Sequence, residues 1–143
     1  NLYYCIFAKK AVYIKEKMYF YRLHGGSITH KFSERTAADF RELCKEYKCF
    51  VSRKEAAEYA KYVCERAIMS LSFCCILDFC HNDNKKSYVE RRKQFYDEYE
   101  FYKEDIKIVS LKHFGLKKKI ILFCIKHKMF FATELLCKLQ SKF

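Results

Sequence analysis

Proline and tryptophan are absent from this 143-residue chain, and glycine occurs only three times. Without proline there is no fixed X-Pro turn and no proline kink. With so little glycine, left-handed turns are scarce and helices can run long. No C-x-x-C pair occurs among the nine cysteines, which removes the knuckle spacing of the common zinc modules. No aspartate stands two positions from another, so the chain holds no D-x-D. The first residues are not a basic stretch followed by an apolar core, so no secretory signal is visible. The longest apolar run, AIMSLSFCCILDFC at 67–80, falls short of the ~20 residues that cross a bilayer and is interrupted by Asp78.

What the chain does contain is apolar mass and positive charge. Fifty-one per cent of its residues are hydrophobic, which argues against disorder. Its length suffices for one domain with a real core. The net charge is +12 and uneven. Residues 1–84 carry 14 basic and 10 acidic side chains, whereas residues 85–143 carry 15 and 7. Such a basic second part fits either a polyanion or anionic membrane surface, or a merely solvated lysine-rich face. Several cysteines sit inside apolar runs, as Cys74 and Cys75 do. They read as buried thiols in a reducing cytoplasm. Cys74, Cys75, Cys80 and His81 cluster, but no second knuckle follows to make a zinc site.

Tyr13 to Thr29 is the stretch with recognisable chemistry. Its dense aromatics and alternating pattern predict a strand. Met18, Phe20 and Arg22 fall on one face, with Tyr19, Tyr21 and Leu23 on the other. Gly25-Gly26 then breaks the run and lets backbone approach a ligand closely. Arg22, His24, Ser27 and Thr29 flank the break. One guanidinium, one imidazole and two hydroxyls beside bare turn amides suit an anionic, oxygen-rich ligand such as a diphosphate. His24 can donate to a phosphate or ligate a metal. A surface loop, with Arg22 paired to a nearby acid and His24 solvated, explains the same residues.

Glu16-Lys17-Met18-Tyr19-Phe20-Tyr21-Arg22, followed by His24-Gly25-Gly26-Ser27-Ile28-Thr29, resembles the motif that closes the catalytic domain of bacterial family-two glycosyltransferases. Asn1 to Lys10 resembles the helix that precedes that strand. The resemblance covers the first thirty or so residues. It implies the end of a GT-A nucleotide-sugar domain over 1–30, followed by a helical C-terminal extension over 31–143. It implies transfer of a sugar from a nucleotide diphosphate sugar to a glycan or lipid-linked acceptor, as in surface polysaccharide synthesis, with a divalent metal such as Mg or Mn. Arg22, His24 and Ser27 would then line the donor diphosphate site, with His24 a metal contact. In that family the nucleotide-binding strand, the D-x-D and the acidic base lie upstream of this motif. None is found here, so the expectation is the C-terminal piece of a longer enzyme, inactive alone and with no catalytic residue of its own.

Beyond residue 31 the pattern is helical. Ser33 reads as an N-cap, and Ala37, Phe40, Leu43, Cys44 and Tyr47 form an apolar stripe ending near Lys48. Ser52-Arg53-Lys54-Glu55 reads as a capping box opening the longest helix, from Arg53 to about Phe79. Its second half is apolar on nearly all sides, as in a central core helix. His81 to Lys86 is a polar loop. Ser87-Tyr88-Val89-Glu90 is a second capping box, before a helix to about Lys103 with Phe95, Tyr99 and Tyr102 on one face. Ile106–Phe114 reads as a short helix or a linker, closed by Gly115. The last element starts at Leu116 as one helix. Either it packs on the core while its lysines snorkel outward, or 116–143 lies in the membrane interface, with lysines against anionic headgroups.

The expected architecture is therefore mainly α: a helical bundle after a short helix/strand remnant of a GT-A α/β domain. The expected location is the cytoplasm, or the inner face of the cell membrane. A basic helical module for nucleic acid or protein interaction is the alternative, since tyrosine and phenylalanine interleave with lysine. No recognised nucleic-acid motif appears, and the aromatics fall at core spacing.

Overall fold

The computed structural model describes residues 32–140, together with Lys10, Val12 and Lys15. Among these the fold is mainly α. Five α-helices follow one another: α1 (Thr36–Val51), α2 (Ala60–Cys74), α3 (Tyr88–Ile108), α4 (Leu116–Lys126) and α5 (Phe130–Gln140). A 3₁₀ turn, Lys54–Tyr59, leads into α2, and a π-helical turn, Cys75–Phe79, extends it. The strand expected within 13–29 lies outside the described residues.

The α2–π element is the axis. Ala67, Ile68, Leu71, Cys74 and Cys75 are fully buried along it, as its all-round apolar sequence requires. The helices α1, α3 and α4 pack directly on α2, and α5 packs on α4 and on the π turn. From α3, Phe95, Tyr99, Tyr102 and Ile106 close one side at helical spacing, each in the core. Complete burial of one such side chain contributes about 1.5–3 kcal/mol. From α4, Ile121, Leu122 and Ile125 close another.

Several boundaries differ from the sequence reading. Helix α1 starts at Thr36, with Arg35 at its N-cap. Ser33 sits upstream, and its carbonyl accepts from the Thr36 amide (3.2 Å) and hydroxyl (2.8 Å). Where a helix start was expected, Ser52 closes α1: its amide donates to the Lys48 carbonyl and its hydroxyl to that of Cys49. The single helix expected from Arg53 to Phe79 is instead three consecutive segments, 3₁₀, α and π, so its hydrogen bonding changes twice. The box at Ser87 and Glu90 does form, with both reciprocal bonds in place. It draws the Glu90 carboxyl below its usual range. Helix α3 then runs on to Ile108 rather than Lys103.

The last element is two helices rather than one. The chain turns at residues 127–129, and Lys128 adopts φ 58, the left-handed region. Helix α3 holds this turn. Tyr99 donates to the Lys126 carbonyl (3.1 Å) and Tyr96 to that of Lys128 (3.3 Å). The Lys128 ammonium meets Glu100 and lies over the Tyr99 ring. A residue forced to positive φ is thus fixed at both ends of its side chain and backbone.

Candidate functional site

Arg22, His24 and Ser27 lie outside the described residues. What is described is the place where their segment enters the helical body. The Ser33 amide donates to the Leu77 carbonyl in the π turn (3.2 Å). Phe32 stacks on His81, ring centroids 5.6 Å apart. Leu77 lies in the last turn of this helical element, where carbonyls lack an intrahelical partner and are open to outside donors.

Beside this junction, α1, the π turn and α3 form an open cleft of about 310 Å³. Its charged lining is Glu34, Arg41, Asp78, Asp97 and Glu98, with Gln94 between them. Arg41 grips the buried Glu98 from 57 residues away in sequence. Its Nε lies 3.0 and 2.8 Å from the two carboxylate oxygens, and its Nη2 lies 2.7 Å from one. The bond to Glu98 raises the Arg41 pKa above its usual value. The guanidinium also covers the Phe101 ring at 5.0 Å. Both members of the pair are therefore held in place.

Asp78 is 1 % exposed. Burial pushes its carboxyl up to about 6, assisted by the nearby Glu34 and Glu98 and opposed by Lys86 and the Asn84 bond. Asn84 supplies Nδ2–H to Oδ1 at 3.1 Å. A carboxyl that titrates near neutrality is suited to exchanging protons or donating to a hydroxyl. The signal was present in the sequence as the lone acid inside the 67–80 apolar run. The Arg41–Glu98 pair left no such trace, because nothing local joins the two positions.

A second cleft, about 380 Å³, is lined by Tyr47, Tyr59, Tyr62, Val63 and Arg66. It presents aromatic faces and one cation, a surface for flat or ring-shaped groups.

Most of the described cysteines are core thiols. The eight described are unbridged, and six are buried. Burial pushes the Cys74 and Cys75 thiols up, and the bond to Cys80 with burial pushes up Cys137. Raised thiols of this kind are poor nucleophiles. Among the described residues no group of three or more His, Cys, Asp or Glu is arranged to hold a metal ion. The divalent metal implied by the resemblance therefore has no ligand set in the helical body, and His24 lies outside the described residues.

Compared with protein-family models, with curated proteins and with solved structures, the chain matches none.

Proposed function

We propose that this chain is the C-terminal part of a glycosyltransferase that moves a sugar from a nucleotide diphosphate sugar to a glycan or lipid-linked acceptor. One observation carries the reading: the ordered run from Glu16 to Arg22, followed by His24-Gly25-Gly26-Ser27. In this reading Arg22 and Ser27 hold the donor diphosphate, and His24 contacts phosphate or a divalent metal. The metal would supply charge neutralisation on the leaving diphosphate. In family-two glycosyltransferases the catalytic acid or base lies upstream of this motif, and no residue of this chain is assigned that role.

The helical body then works as a brace. Ser33 ties the downstream end of the motif segment to the π turn, and Phe32 ties it to His81 just beyond that turn, within four residues of Thr29. A loop fixed at its exit loses less freedom when it closes on a ligand. Unbridged cysteines fit a reducing cytoplasm, where nucleotide sugars are also available to the enzyme. We place the protein on that side of the membrane.

The test uses the intact protein. Arg22→Ala and His24→Ala should each weaken nucleoside diphosphate binding roughly 10- to 100-fold, the span of a lost charge-assisted hydrogen bond. Circular dichroism should be unchanged. Unaltered donor affinity and turnover in both variants would remove the pair from the site and with it this reading.

A further inference from the structure

Helices α4 and α5 are apolar on two sides. Their inner sides fill the core through Ile121, Leu122, Ile125 and Phe130. Their outer sides carry a second set of large apolar groups. On α4, Leu116, Ile120 and Phe123 recur at intervals of four and three, and are 46–74 % exposed. On α5, Phe131, Leu135 and Leu139 recur at intervals of four, and are 49–69 % exposed. Those intervals keep each set on one face. A water-facing helix side ordinarily carries charge there instead.

The charges stand around these stripes. At a hundred degrees per residue, Lys117 falls on one flank of the α4 stripe and Lys119 on the other, whereas the Lys126 ammonium is held by the Val109 carbonyl (2.7 Å). Residues 111–143 hold eight lysines and a single acid, Glu134. Glu134 is buried, turned inward and engaged by Arg91 and Lys138. Among the described residues no carboxylate pairs with Lys117, Lys118 or Lys119. No described helix is long and apolar enough to cross a membrane. Each of the two has 11 residues, about 16 Å of helix.

We propose that α4 and α5 lie flat in the headgroup layer of an anionic lipid bilayer. The outer stripes enter the acyl boundary, and the lysines meet lipid phosphates. Charge complementarity selects this occupant. A second copy would set the same lysines against each other. A polyanion such as RNA would engage the lysines and leave the leucine and phenylalanine stripes in water. Apolar depth with flanking cations is what an interfacial helix presents. The inference stands apart from sugar transfer, because donor binding is read at the motif segment and lipid binding at α4 and α5.

The experiment is co-sedimentation of the chain with vesicles of phosphatidylcholine alone, or of phosphatidylcholine doped with phosphatidylglycerol. Binding should appear only with the doped vesicles and should weaken as salt is raised. Lys117→Gln with Lys119→Gln should lower the partition coefficient about 25-fold, at roughly fivefold per lysine. Phe123→Glu with Leu135→Glu should abolish sedimentation while leaving circular dichroism unchanged, since both side chains face outward. Three results would overturn the proposal. They are a folded chain that stays in the supernatant, equal binding to neutral vesicles, and a lipid-free dimer that Phe123→Glu with Leu135→Glu breaks up.

Discussion

Arg91 on α3 and Glu134 on α5 form a nearly buried ion pair across 43 residues of sequence, with side chains 12 % and 9 % exposed. The same Arg91 nitrogen donates to the Phe79 carbonyl at 3.0 Å, and its Nε donates to that of Lys86 at 3.2 Å. One guanidinium thus joins the π turn, the following loop and the last helix. Glu134 is held below its usual pKa by Lys138 and Arg91, against the opposing pull of burial.

Removing the cation leaves a buried carboxylate with Lys138 as its remaining partner. Arg91→Met should therefore lower unfolding free energy by about 3–5 kcal/mol, read from urea denaturation. Adding Glu134→Met should restore part of the loss, because the stranded charge goes with it. Equal stability of the single and double variants would show that the pair is not energetically coupled.

Asp78 sets a pH dependence. Its folded-state pKa, about 6, lies above the ordinary 3.8. The folded chain therefore holds a proton between those values that the unfolded chain has released. The contribution to stability is fully present below pH 4, falls as pH rises through 6, and is flat above. Asp78→Asn should flatten that fall, worth about 2 kcal/mol, in thermal melts run between pH 4 and 7. A wild-type chain with no such slope would mean that the carboxylate is ionised in the fold.

The Tyr102 hydroxyl is buried and has no hydrogen-bond partner among the described residues. Burial, with nearby Cys74 and Glu98, pushes its pKa up. An unsatisfied buried hydroxyl costs about 1–3 kcal/mol. Tyr102→Phe should accordingly raise the unfolding midpoint, and a lowered midpoint would reveal a hydrogen-bonded hydroxyl.

The helices were legible because their signals are local. The stripe through Phe40 and Cys44, the box at Ser87 and Glu90, and the all-apolar run at 67–80 each announce themselves within a few residues. Boundaries were less legible where one residue answers to two elements. Ser52 looks like the start of a helix and serves as the end of one. The turn at Lys128 was hidden as well. No glycine marks it, and its strain is met by Tyr96, Tyr99 and Glu100 from another helix. The carboxylate cleft shows the same limit: Arg41, Asp78 and Glu98 come together through tertiary packing alone. The segment with Arg22, His24 and Ser27 is read from sequence only.

The π turn gives up three consecutive carbonyl oxygens to outside donors. Leu77 receives Ser33, Asp78 receives Asn84, and Phe79 receives Arg91. The incoming chain, the polar loop and the long third helix are thus moored at one helix end, within a single turn. These are last-turn carbonyls, which a helix leaves without internal partners. Fraying of that end would release all three moorings together, so among the described residues the entering chain, the polar loop and the third helix should lose amide-exchange protection there as one unit.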